Sequence, residues 1–206
     1  AMKALNKILT YFVFPVIIVA LGYILVASIM KPVRFENEVD RRKDVAVERL
    51  KSIRTLEVAF KGEYNRFTAS LDSLVDFYHN DSMTVIRQIG SMDDSLAVAQ
   101  KRVRRDTIKV AIKDTLFHDQ PNFIIDSIKY IPFANGKEIT LEAVIKPVSG
   151  INVPLFEATI SYDDLLRGLD RQLIINLKAA QEDLGRYTGL KVGSVTTPNN
   201  NAGNWE

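Results

Sequence analysis

The chain has no cysteine, which excludes disulfides, thiol chemistry and zinc–thiolate sites and leaves the redox state of its compartment open. Histidine is almost as scarce, with only His79 and His118. No glycine-rich phosphate loop occurs, and Ser70, Ser73, Ser91, Ser95 and Ser149 sit in no nucleophile motif. No acidic residue precedes Glu36. Neither sign of charge dominates. The net charge of +2 comes from Lys3 and Lys7, so the chain from Lys31 onward is neutral. That balance argues against a nucleic-acid-binding surface. There is no internal repeat and no long low-complexity segment.

What the chain does have is one long uncharged run, Ile8 to Met30. As a helix it reaches roughly 34 Å, enough to cross a hydrocarbon core about 30 Å thick. Pro15 is tolerated there better than in a soluble helix, and Tyr11, Phe12 and Tyr23 suit the headgroup level. No other stretch is long enough to span, so the reading is a single-pass protein whose bilayer is its first partner. A rival reading makes Val26-Ala27-Ser28 a cleavage site, but the apolar run is longer than a signal core. Orientation has two opposing indications. Lys31, Arg34, Arg41, Arg42 and Lys43 outnumber the basic residues of the tail and would place the domain in the cytoplasm. A very short basic tail before one long apolar helix has the shape of a signal anchor, which places the tail inside and the domain outside.

Beyond Pro32, a helix is predicted from Asn37 to Tyr64, with Val39, Ala46, Leu50, Ile53 and Phe60 on one stripe. Thr68-Ala69-Ser70 predicts the cap of a short helix, Leu71 to Tyr78. Alternation then predicts strands at Met83–Ile89, Thr107–Lys113, Phe123–Ile131, Lys137–Lys146 and Pro154–Ile160, forming one antiparallel sheet. Asn135-Gly136 signals a hairpin, and Val148-Ser-Gly-Ile reads as a turn. Ser161 with Asp164 predicts a capping box, one or two helices follow before Leu184, and Leu190 to Val195 reads as a last strand. The expected divisions are a cytoplasmic tail (1–7), a transmembrane helix (8–30), an amphipathic helix (31–66), an α+β soluble domain (67–195) and a loosely held tail (196–206).

The segment Arg-x-x-Glu-x-x-Phe-x-x-Glu-Tyr-x-x-Phe-Thr, Arg54 to Thr68, is followed by Ser-Leu-Asp-Ser-Leu, Ser70 to Leu74. With the membrane helix before it and the strands after it, this part of the chain resembles type IV pilins and the pseudopilins of type II secretion. The resemblance implies an α+β fold in which an N-terminal transmembrane helix continues into a long amphipathic helix packed on an antiparallel sheet. It departs from that family in lacking both a Gly-Phe processing site and a glutamate within the apolar helix, which puts pilin-type processing and polymerisation in question. The tail NNNAGNWE, preceded by Tyr187 to Ser194, resembles uncharacterised single-pass envelope proteins of Bacteroidota. Together these imply a bacterial inner membrane address with the soluble domain in the periplasm.

Candidate chemistry is sparse. Asp114, His118 and Asp119 form the nearest approach to a metal-ligand set, and His79-Asn80-Asp81 lies in a turn. Asp93-Asp94 reads as loop, and Asp163-Asp164 as a helix N-terminus, where negative charge is favoured. Lys101-Arg102-Val103-Arg104-Arg105 is the densest positive patch, read as a solvated loop or as contact with an anionic surface. No catalytic, cofactor-binding or metal residue is assigned. The expected function is non-enzymatic: a structural or scaffold subunit of an envelope or secretion assembly, partnered by other membrane or envelope proteins. The alternatives are a periplasmic ligand-binding or sensor domain and, third, a metal-dependent enzyme around Asp114 and His118.

Overall fold

The computed structural model describes residues 9–89, 104–120 and 123–206. A π-helical turn, Leu9–Val13, runs directly into helix α1, Phe14–Tyr64, of 51 residues. At 1.5 Å per residue α1 is roughly 76 Å long. It passes through Pro32 without a break. Its first half contains an 18-residue window of mean hydropathy 2.6, none of it buried, and is long and apolar enough to cross a membrane. Its second half carries the expected stripe. Val39, Ala46, Leu50, Ile53 and Phe60 are all buried, and Leu56 joins them.

Asn65, left-handed at φ 55°, ends α1 by donating its N–H to the Lys61 carbonyl at 2.9 Å. The chain doubles back into α2, Leu71–Asn80, whose cap Ser70 accepts from the Ser73 N–H at 3.2 Å. Phe60 packs on Tyr64 at 4.5 Å and on Phe77 at 5.1 Å between ring centroids, which locks the far end of α1 to α2.

The strands form two sheets, not the single sheet expected. Strands β1, Ser82–Ile89, and β2, Arg104–Ala111, make an antiparallel ribbon from Ser82↔Ala111 to Ile89↔Arg104. The predicted strand Thr107–Lys113 stops early, because the Ile112 N–H turns to the Asp81 carbonyl and starts a one-turn helix α3, Ile112–Thr115. Ile112 is therefore buried, whereas Ile108 on the same nominal face is exposed. The predicted strand Phe123–Ile131 is instead a 3₁₀ turn, Ile125–Lys129. Ile125, Ile128 and Ile131, the buried positions, recur every third residue, which is the 3₁₀ period and not the strand period. Among the described residues no strand pairing links the ribbon to the second sheet.

The second sheet has the order β3-β4-β5, with β3 Thr140–Val148, β4 Ile151–Ser161 and β5 Gly189–Gly193, all antiparallel. Ser149 and Gly150, at φ 51° and 81°, form the tight turn between β3 and β4. Asn135-Gly136 also turns with positive φ, but it closes only a short ladder through the Tyr130↔Glu138 bridge. Phe156, Ala158 and Ile160 point together into the core, as their alternation predicts. The fold is α+β, with the second half of α1 laid against β4 and β5.

Helix α4, Tyr162–Leu165, follows the Ser161 cap, and the Asp164 N–H donates to Ser161 Oγ at 3.2 Å. Helix α5, Arg171–Asp183, is capped by Asp170 and absorbs the ambiguous Ile174-Ile175-Asn176-Leu177. The segment Thr196–Glu206, expected to hang loosely, is pinned along the free edge of β5. The Gly193 N–H donates to the Ala202 carbonyl at 3.0 Å, and Asn204 bridges the Lys191 N–H (3.0 Å) and the Gly189 carbonyl (2.9 Å) through its side chain.

Candidate functional site

Helix α1 holds the body through arginines. Arg42 Nη1 donates to the Leu165 and Arg167 carbonyls, each at 3.0 Å. Arg49 donates to the Tyr130 carbonyl, and burial lowers its pKa. Arg54 donates to the Asn201 carbonyl at 3.3 Å and to Glu206 at 2.6 Å. Each guanidinium thus grips a different loop, using the several donors that lysine lacks in that planar arrangement. Glu38 accepts from Arg41 and Arg42 at 2.7–2.9 Å. Those bonds, Arg41's first, pull its carboxyl down to about 2. Phe133 lies 4.9 Å under both guanidinium groups. One side of α1 from Phe35 to Ala46 is therefore covered by the Phe133 turn and the α4–α5 loop.

Among the described residues Glu57 is the one buried acid, and it is fully inaccessible. It falls on the apolar stripe, four residues after Ile53 and three before Phe60. Its Oε2 accepts from the Thr68 N–H at 3.1 Å, and Oε1 has no partner. Burial raises the carboxyl to about 8, against a smaller opposing effect of the Thr68 bond. The signal was an acid at a core position of the helical repeat.

An open groove of about 920 Å³ lies between α1, the start of β1, Leu116 and the Asn200–Asn201 loop. Val58, half exposed, contributes apolar surface to it. Its charged groups are committed to holding the fold: Arg54 as above, and Glu63 by the Thr84 N–H at 2.5 Å. The β3–β4 hairpin lies beside the α1–α2 turn, where Ala143, Val144 and Ile145 line a shallow pocket with Arg66 and Phe67. Phe156 meets Phe67, just beyond Tyr64, at 4.8 Å. The turn lies six residues further along β4, roughly 20 Å at strand rise. Ile145 and Ile151 on this hairpin are 60% and 70% exposed.

The residues singled out from sequence are scattered. His118 Nδ1 lies 3.1 Å from Asp119 Oδ1, both highly exposed, and Asp114 sits on α3. Among the described residues no group of three or more His, Asp or Glu side chains is placed to hold a metal. His79 is exposed beside Tyr78, while Asp81 accepts from the Tyr64 hydroxyl at 2.7 Å. Asp163 pairs with Lys178 at 2.5 Å and Asp164 with Lys137 at 2.8 Å. Burial pushes Asp164 up, but its bonds from Lys137 and Ser161 more than offset this and leave it below the usual range. Ser70 and Ser161 are helix caps, and Ser149 is a turn residue. Ser91, Ser95, Asp93, Asp94 and Lys101 to Val103 lie outside the described residues, as does the tail with Lys3 and Lys7.

No protein-family model, curated protein or solved structure matches the chain at a significant level.

Proposed function

We propose that the chain is a non-enzymatic, single-pass subunit of a bacterial envelope or secretion assembly. It would be anchored in the inner membrane by the first half of α1 and carry its α+β body in the periplasm. The observation that supports this best is the unbroken α1. One helix is bare and apolar in its first half and buried in the body along its second, so anchor and body share a single rigid element. Three arginines and the pinned C-terminal segment fasten the body to that shaft. The order of long helix, turn, Ser-capped short helix and antiparallel strands is also what the resemblance to type IV pilins and pseudopilins implies, an analogy of arrangement and not of chemistry.

Within this reading the β3–β4 hairpin docks a protein partner through Ile145 and Ile151, since exposed aliphatic side chains near a hairpin turn suit an interface. A photocrosslinker at Ile151, used in native membranes, should trap a defined companion, and Ile145→Asp should abolish the product. A protein that stays monomeric and uncrosslinked in its own membrane would overturn the proposal. The groove of about 920 Å³ favours a second reading, a ligand-binding or sensing domain on the same anchor. A small molecule that co-purifies and is lost on Val58→Trp would support it.

A further inference from the structure

We infer that α5 and the loop before it rest on anionic phospholipid headgroups of the membrane that α1 enters, an inference built on the membrane-anchored reading above. Lys31 is the first residue after the uncharged run that ends at Met30. Its Nζ lies 2.8 Å from Asp170 Oδ2, the N-cap of α5. The headgroup layer is roughly 5–7 Å thick on each side of the hydrocarbon core. At helical rise it covers about four residues beyond Met30. Asp170, held by a residue in that layer, brings the start of α5 to the membrane surface.

The chemistry of the segment matches that address. Arg34, Arg167 and Arg171 are exposed, and among the described residues none of them makes an ion pair. On α5, Arg171, Ile175 and Ala179 recur every four residues and so share a face. All three are exposed, Ile175 by 48%. No residue of α5 is buried, although Leu173, Ile174 and Leu177 cover part of one side. From Arg171 to Gln181 the helix carries no acidic residue. From Arg171 to Ala179 this face offers a cation, an aliphatic side chain and a small residue, with acids only at Glu182 and Asp183 in the last turn, which suits the boundary between headgroups and acyl chains.

The test uses the full chain, whose lack of cysteine allows single-site labelling. Ala179→Cys is labelled with a fluorophore and reconstituted into phosphatidylcholine vesicles containing phosphatidylglycerol and a headgroup-nitroxide lipid. His79→Cys, exposed near the far end of α1, is the reference. The Ala179 label should be strongly quenched and the His79 label spared. Each basic residue at an anionic surface should contribute about fivefold to the contact equilibrium. Arg167→Glu with Arg171→Glu, or omission of phosphatidylglycerol, should therefore release most of the quenching. If the protein co-floats with vesicles but the Ala179 label is quenched no more than the His79 label, the inference falls and the anchor stands. A label shielded from water yet untouched by the lipid quencher assigns the face to a protein and also overturns it. Failure to co-float overturns the anchor itself and the inference with it.

Discussion

Glu57 sets a pH dependence that no surface residue imposes. Its carboxyl is raised to about 8 in the folded protein by burial, whereas a solvated glutamate titrates near 4.3. Between those values the native state holds a proton that the unfolded chain has released. Its contribution to stability is complete below the lower value, declines as pH rises and is gone above about 8. The steepest loss is about 1.4 kcal/mol per pH unit. Urea unfolding in detergent, followed by Trp205 emission, should show stability falling from pH 5 to pH 9, and Glu57→Gln should flatten that fall. A parallel pH profile in the variant would refute the assignment. Gly193 offers a second test at this scale. It holds φ +76°, and a Cβ there would lie 2.2 Å from the Phe156 carbonyl oxygen, so Gly193→Ala should unfold at markedly lower urea than the wild type. Sequence periodicity made Val39, Ala46, Leu50, Ile53 and Phe60 legible because burial follows the helical repeat. Glu57 falls on the same repeat, where a charged residue is the exception. The roles of Arg42, Arg49 and Arg54 are not legible in the sequence, since the carbonyls they hold lie in loops distant along the chain.

At the scale of elements, local signals were readable and non-local ones were not. Caps at Ser70 and Ser161 and turns at Asn135-Gly136 and Ser149-Gly150 are decided by neighbouring residues, and they form where expected. The Phe123–Ile131 segment was read at the wrong period, since five apolar residues in nine obscure a spacing of three. That single misreading merged two sheets into one. The C-terminal segment carries no periodicity because backbone groups and Asn side chains hold it, with Trp205 alone of its residues packed against the core. Asn204→Ala removes two side-chain bonds to β5 backbone and should cost about 1–3 kcal/mol. Trp205 emission should then shift to the red at lower urea than in the wild type, and an unchanged transition would show that the segment is held without Asn204.

For the whole molecule, the governing feature is that α1 has no joint between its apolar half and the half embedded in the body. A helix longer than the hydrocarbon it crosses adjusts by tilting, and the tilt depends on bilayer thickness. Since shaft and body turn together, leaning the membrane portion swings the hairpin turn through an arc set by a lever of roughly 76 Å. Under the proposed anchoring, lipid composition becomes a steering input: thinning the bilayer carries Ile145 and Ile151 sideways and lowers them, without any rearrangement inside the domain.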